Sequence, residues 1–508
     1  MSDILSALTH ILDPALLLAM LAAVLFAQVI AITPGLGGAF LLAMLIPFVF
    51  GLDPFLAIAI LVAASATDGT GNSATSILFG VPGSATAAAM VIDGHPMAKR
   101  GQAGRALGAA MTASAIGGII GALTLAVVIP VARPFVLAFG PVEFFVLVIF
   151  ALFTLAYVRE EQALKGLIGA ALGMSLSLVG MSGATGTQRY TFDQLYLWDG
   201  LRLVPVLLGL FAITEAMNML KKARRPGGGS LIDPAEAVAA ERSGTLEGVK
   251  DAFRHWDATL LGSWIGLIVG MLPGVGGAAG QFMGYSAVAR MSRVGKRMAG
   301  LPPFGQGNVR GVVGPDASTN STAGGELVPV LAFGIPGSST TAILLGALIV
   351  MGIQPGPRML QFNMDIVWTI IFVLVIGNLM ATGTVLLLAR HLARLAYLRT
   401  SLLGPAILAI GLFGAYATTR HVGDIFVVIG AAFLGYFLKK YGFGVVTFLI
   451  GFVLGPILEH YLVLSLQIYG PTFIFARPLA MAIFVALLLM VGWSLLKGRR
   501  RARAAGAS

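Results

Sequence analysis

The chain has 508 residues, of which 57% are hydrophobic and 11% charged, with a mean hydropathy of +0.91; that balance excludes a string of soluble domains and makes the bilayer the relevant solvent. A formal net charge of +11 would suit an acidic partner, but the basic residues sit in short segments between apolar runs and read as topology signals, so no nucleic acid is expected. Cysteine is absent, which removes disulfides, thiolate metal sites and a cysteine nucleophile.

In chain order the first apolar run is Ala15–Ile32. No Lys or Arg precedes Lys99, so this run lacks the basic flank of a secretory signal peptide and is expected to be retained. Further runs lie at Ala106–Val131, Phe144–Val158, Ile366–Leu388, Val445–Leu458 and Ala480–Leu496. At ~1.5 Å per residue, runs of this kind approach the thickness of the hydrocarbon layer as helices. They are continuous rather than alternating, which argues against an outer-membrane barrel. Many of the 66 Gly and 24 Pro fall inside them, so the helices are expected to be broken and closely packed.

Two motifs occur twice. Pro34-Gly35-Leu36-Gly37-Gly38 returns 239 residues later as Pro273-Gly274-Val275-Gly276-Gly277, and Phe79-Gly80-Val81-Pro82-Gly83-Ser84 returns 254 residues later as Phe333-Gly334-Ile335-Pro336-Gly337-Ser338. The second half has thus gained 15 residues between the motifs, around Arg290–Arg310. The expected organisation is a first transmembrane repeat at 1–220, a cytoplasmic linker at 221–256, a second repeat at 257–496 and a basic cytoplasmic tail at 497–508.

The linker opens with Lys221, Lys222, Arg224 and Arg225. Alternating sides from there places the loops at Gly94–Arg105 and Arg159–Lys165 inside and those near Arg133 and Arg189 outside. Alternating back from the tail places Arg390–Arg399 and Lys439–Lys440 inside, with Gly352–Leu360 and Arg420 outside. The loop after the first Pro-Gly-Ser is therefore cytoplasmic and its counterpart is not. The expectation is an all-α polytopic membrane protein with two inverted-topology repeats and its N-terminus outside.

Each half holds an apolar run interrupted by Pro-Gly-Ser, at Ser76–Ile92 and Leu327–Met351. Proline removes a donor and glycine permits left-handed backbone, so a re-entrant hairpin of two short helices is expected in each repeat. The alternative is a kinked helix whose Ser and Thr bond back to their own backbone. Pro82, Gly83, Ser84 and Thr86, with Pro336, Gly337, Ser338 and Thr340, are candidate substrate contacts, because helix starts at such breaks offer N–H donors to an anion. Before each hairpin lies a polar cluster, containing Asp68, Thr70, Asn72 and Ser73 in one half and Asp316, Asn320, Ser321 and nearby Glu326 in the other. Asn72, Ser73, Asn320 and Ser321 join the candidate substrate contacts. A carboxylate at membrane depth costs roughly 2.5–3.5 kcal/mol on insertion scales and so defaults to an ion, proton or substrate site; a hydrophilic turn at the interface is the competing reading. Asp68, Thr70, Asp316 and Glu326, with the backbone at Gly35, Gly37, Gly274 and Gly276, are the candidate cation-coupling set. The two Pro-Gly-x-Gly-Gly elements follow no strand and are not dinucleotide fingerprints.

There is no phosphate loop and no His-Glu-x-x-His, and the six histidines are scattered. Neither ATP hydrolysis nor a metal site other than one for Na⁺ is expected, and the chain reads as no enzyme, without a cofactor. His95, in its loop, reads as a solvated residue.

These residues resemble the large membrane subunit of the tripartite tricarboxylate transporters from about Ala15 to about Leu496. The resemblance rests on PGLGG at Pro34, VPGSATAAAMVIDGHPMAKRGQAGRALG at Val81–Gly108, VPVLLGLFAITEA at Val204–Ala216, LPGVGGAAGQFMGY at Leu272–Tyr285, and GPDASTNSTAGGELVPVLAFGIPGSSTTAILLGALIVMGIQPGP at Gly314–Pro357. It implies a bacterial inner-membrane permease working with a small membrane subunit and a periplasmic solute-binding protein. It further implies uptake of small carboxylates driven by Na⁺ or H⁺, and a moving hairpin-bearing domain of the elevator kind. The family pattern differs at Thr70-Gly71-Asn72-Ser73, at Gly80, at Asp316, Ser318, Thr319, Ser321 and Thr322, and at Glu326, where a small residue is usual. The pocket is accordingly more hydroxylated and differently charged. Two rivals stand beside this reading. A membrane enzyme on lipid or isoprenoid substrates would need clustered acidic ligands or a nucleophile–base pair, and a channel would need a continuous polar path.

Overall fold

The computed structural model describes residues 2–157, 163–183, 185–223, 244–294, 300–395 and 400–505. The first half comprises α1 (Ser2–Ile11), α2 (Pro14–Ala31), α3 (Gly38–Val49), α4 (Pro54–Phe79), α5 (Met90–Met97), α6 (Ala103–Ala138), α7 (Pro141–Tyr157) and α8 (Ala163–Ser177). A two-residue antiparallel ladder pairs β1 (Gly180–Met181) with β2 (Gln188–Arg189), and α9 (Leu203–Leu207) and α10 (Thr214–Ala223) follow. The second half runs through α11 (Thr245–Arg254), α12 (Trp256–Met271), α13 (Gly276–Val294), α14 (Arg310–Phe333), α15 (Ser339–Val350) and α16 (Pro357–Phe362). It ends with α17 (Met364–Leu395), α18 (Thr400–Thr419), α19 (Gly423–Lys440), α20 (Val445–Tyr469) and α21 (Pro478–Ala505).

Among the described residues seven helical segments are long and apolar enough to cross a membrane, including Pro14–Ala31, Pro54–Phe79 and Met364–Ala389. The protein is a multi-pass, all-α membrane protein. Arg224 and Arg225 of the linker and Arg159 lie outside the described residues. The linker's last part is the helix α11, tied to α6 by Arg105 Nε donating to Asp251 Oδ2 at 2.6 Å.

Small residues bring the central helices into backbone contact, the packing expected where lipid offers no hydrophobic drive between helices. On α12, a Cβ at Gly262 would stand 2.1 Å from Gly314 O, and at Gly266 2.2 Å from Ser318 O, both on α14. On α6, a Cβ at Gly117 would stand 2.2 Å from Ala317 O, again on α14. In the same way α4 is flanked by α2, with Gly71 against Ala31, and by α17, with Gly377 against Ala63. Each half's long polar helix is therefore clasped by one helix of its own half and one of the other.

The interruptions at the two Pro-Gly-Ser motifs are real, but the arm before each is not a short helix. α4 has 26 residues and α14 has 24, and both polar clusters lie inside them, buried except for half-buried Asp68, instead of forming turns. Inside the helices the cluster hydroxyls are satisfied by bonding back one turn, as Thr67 to Ala63 O at 2.8 Å and Thr322 to Ser318 O at 2.7 Å. α4 and α14 end on Gly80 (φ 65°) and Gly334 (φ 68°), the left-handed closing position that glycine occupies without strain.

His95 is not solvated. It is buried in α5, its Nδ1 3.0 Å from Ile77 O and its ring against Gly80, where a Cβ would lie 2.7 Å from Nε2. The residues from Gly94 to Arg105 are likewise no loop; helix continues through a π turn at Ala98–Gln102 with a kink at Gly101 (φ 77°). The reason is a partner distant in sequence. Asp93 of α5 is buried and accepts N–H groups of Gly305, Gly307 and Asn308 at 2.9, 2.8 and 2.8 Å and the Tyr285 hydroxyl at 2.9 Å. The extra residues of the second half thus wrap the helix that follows the first break.

Candidate functional site

The two Pro-Gly elements of each half are joined by one backbone hydrogen bond. Gly35 N donates to Gly83 O at 2.8 Å, and Gly274 N donates to Gly337 O at 3.1 Å. Each break in a polar helix is thereby fixed to the break before the preceding helix, α2–α3 in the first half and α12–α13 in the second. Gly35 (φ 89°) and Gly274 (φ 88°) both need the left-handed backbone that glycine provides.

Between these breaks lies a cavity of about 580 Å³. Of the residues singled out by sequence, Asp68, Thr86, Gly274, Gly276, Asn320, Glu326, Gly337, Ser338 and Thr340 line it. The two halves contribute reciprocally. A Cβ at Gly38 would lie 2.9 Å from Asp68 Oδ2 and 2.8 Å from Thr340 Oγ1, and a Cβ at Gly277 would lie 3.0 Å from Thr86 Cγ2 and 3.9 Å from Thr322 Cγ2. By the offsets of 239 and 254 residues, these are the same three positions with the break residue exchanged between halves.

The remaining candidates stand behind or beside the wall. Ser73 donates to Asp316, which is fully buried and whose Oδ2 has no protein partner. Thr70 accepts from Asn320 Nδ2 at 3.3 Å, and Ser321 bonds Ser263 O at 2.9 Å, facing α12. Asn72 Nδ2 donates to the Asp68 carbonyl and to its Oδ1, both at 2.7 Å. Ser84 shares a hydrogen bond with Thr86 at 2.7 Å, and Gly37 lies against Ser84. Pro82 is exposed while Pro336 is buried.

Several wall residues were not singled out by sequence. Thr322 lay within a recognised cluster but carries no charge to draw notice; Lys439, on the wall but paired with Glu215 at 2.9 Å, lies far along the chain. Asn378 of α17 accepts from Asn320 Nδ2 at 2.6 Å. Its one available signal is that of an amide within the apolar run Ile366–Leu388.

The chemistry offered is mixed. α13 and α15 begin on the wall, at Gly276–Ala278 and Ser339–Thr341, and first-turn N–H groups have no acceptor within their own helix. The Asp68 and Glu326 carboxylates share this wall, Glu326 accepting the Ser338 hydroxyl at the start of α15. Among the described residues no Lys, Arg or His forms an ion pair with Asp68, Asp316 or Glu326. Nor, among the described residues, do three His, Asp or Glu side chains come together as metal ligands. The side-chain oxygens on the wall that could serve a monovalent cation are the two carboxylates, with hydroxyls such as Thr86 and Thr322 and the Asn320 amide.

A family model described as the tripartite tricarboxylate transporter TctA family matches residues 17–450. An uncharacterized 52.8 kDa protein of Agrobacterium vitis, from the TAR-I ttuC' 3' region, is 31% identical over 440 residues, covering 86% of this chain and 84% of its own. A second uncharacterized Agrobacterium vitis protein, from the TAR-II ttuC' 3' region, is 33% identical over 197 residues, covering 39% of this chain and 79% of its own. No solved structure matches the chain.

Proposed function

Because the chain belongs to the tripartite tricarboxylate transporter TctA family, we propose that it is the substrate-translocating subunit of a cation-driven, binding-protein-dependent carboxylate transporter of the bacterial inner membrane. Its partners in this reading are a small membrane subunit and a periplasmic solute-binding protein. The observation that carries the proposal is a cavity lined by residues of both breaks, with two helix starts of the second half, Thr86 of the first, and one carboxylate from each half. Broken helices at matching positions, with backbone ends aimed at a central site, are the means by which secondary transporters bind ions and solutes at membrane depth.

The substrate carboxylate is held by helix-start N–H groups together with Thr86. Asp68, set against Gly38 beside Thr340, takes Na⁺ or a proton, and its neutralisation accompanies substrate entry. The repeats are inverted, the interrupted segments are re-entrant, and the clasped bundle around α4 and α14 moves as one body, in the manner of an elevator.

The test is uptake of a labelled carboxylate into vesicles holding both membrane subunits, with the binding protein supplied outside. Uptake that requires a Na⁺ or H⁺ gradient is the expected result. Accumulation unchanged after both gradients are collapsed overturns the coupling.

A further inference from the structure

Four helix starts or breaks meet near the cavity, and the chain's own carboxylates already occupy two of them. Asp68 lies against the start of α3 at Gly38. Glu326, buried on the cavity wall, accepts the Ser338 hydroxyl at 2.6 Å at the start of α15. Ser338 is otherwise committed as well, because its oxygen accepts Thr341 N–H at 3.3 Å and its N–H reaches Thr341 Oγ1 at 3.0 Å. A hydroxyl has one hydrogen to give, so a substrate carboxylate at this end would compete with Glu326 for it.

The other two ends have no such occupant. At the repeat offset of 254, Thr322 takes the place of Asp68 and Asn72 the place of Glu326. Thr322 bonds back along its own helix, and Asn72 turns its Nδ2 to Asp68. The start of α13 at Gly276–Ala278 and the adjoining Thr86 are therefore bare of carboxylates. Beside them, fully buried Gln281 of α13 accepts the Ala89 N–H at 2.9 Å and leaves its Nε2 without a protein partner. That is a donor with no acceptor, next to the first break.

Building on the transport reading above, we propose that Glu326 is a built-in carboxylate that sets the polarity of the substrate. One carboxylate docks at α13 and Thr86, and the far end of the molecule, facing Glu326, is a hydrogen-bond donor such as a hydroxyl, amide or ammonium group. Acids carrying a carboxylate at both ends are excluded.

The experiment compares 4-hydroxybutyrate with succinate, two acids of equal length that differ at one end, and adds citrate. Binding is read as ligand-induced thermal stabilisation of the purified full-length protein in nanodiscs, in saturating NaCl and in choline chloride. The wild type is expected to half-saturate with 4-hydroxybutyrate at a concentration at least tenfold below that for succinate or citrate. Glu326→Gln is expected to tighten succinate at least tenfold, and Thr322→Asp to weaken 4-hydroxybutyrate at least tenfold. Melting without ligand reports whether each variant folds; should Glu326→Gln fail to fold, the wild-type preference and Thr322→Asp decide. Equal or tighter succinate binding by the wild type in NaCl overturns the proposal, since a cation would then bridge Glu326 to the substrate. If no probe binds the folded wild type, the assignment to Glu326 is overturned, while the transport reading stands or falls separately on the vesicle uptake assay.

Discussion

The first and second breaks carry nearly the same letters and are built differently. At the second, Pro336 is buried, Ser338 caps the 12-residue α15 with a reciprocal bond to Thr341, and Glu326 holds the cap from the side. At the first, Pro82 is exposed, Ser84 makes no capping bond, and the chain passes through a 3-10 turn at Ala85–Ala87 before the 8-residue α5. A motif thus fixes where a helix stops, while residues one or two turns upstream, and partners from the other half, decide what the resulting end can hold.

The sharpest way to break this comparison is at Asp93, which anchors the weaker break from outside. Asp93→Ala strands the buried N–H groups of Gly307 and Asn308; at about 1–3 kcal/mol per unsatisfied group, it is expected to lower stability by at least ~2 kcal/mol, read by thermal unfolding of the purified protein. Next comes the pair Gly80→Ala and Gly334→Ala. Both force a side chain into left-handed backbone at roughly 1–2 kcal/mol, but only at Gly80 does the new methyl meet a ring, His95, at 2.7 Å, against 3.4 Å to Pro355 O at Gly334. The first substitution is expected to lower the melting temperature more; equal losses would show that His95 moves aside freely.

Removing the hydroxyls should separate the breaks by a smaller margin. Ser338→Ala deletes a helix cap and is expected to cost about 1 kcal/mol, whereas Ser84→Ala, which loses one bond to Thr86, should be close to neutral by the same melt. Arg105→Ala is a change of the same order as Ser338→Ala. Arg105 is partly exposed but Asp251 is buried, so leaving that carboxylate without its ion pair is expected to cost about 1–3 kcal/mol.

What could be read from the residues follows from range. Gly80 and Gly334 announce their breaks locally, through backbone freedom next to proline, and the paired spacing ties four breaks into two sets. The placement of Asp68 and Glu326 on one cavity was foreseeable from the expense of carboxylates in lipid. The clusters around Asn72 and Asn320 were recognisable, but not that they continue as helix, since hydroxyls bonding back one turn are indistinguishable in sequence from hydroxyls in a turn. His95 and Asp93 were illegible for a different reason: their partners, Gly80 and the Gly305–Asn308 backbone, come from opposite directions along the chain. Asn378 pairs with Asn320 across 58 positions, and no local pattern announces it.

The exchange of clasping helices, with α6 on α14 and α17 on α4, constrains how the molecule is made. Neither portion of the chain can complete its own centre: α4 must wait for α17, some 300 residues later, and α14 settles only onto an α6 already inserted. Two fragments cut between residues 223 and 244 should therefore be degraded when produced singly and recovered together when co-produced, as an interlocked pair.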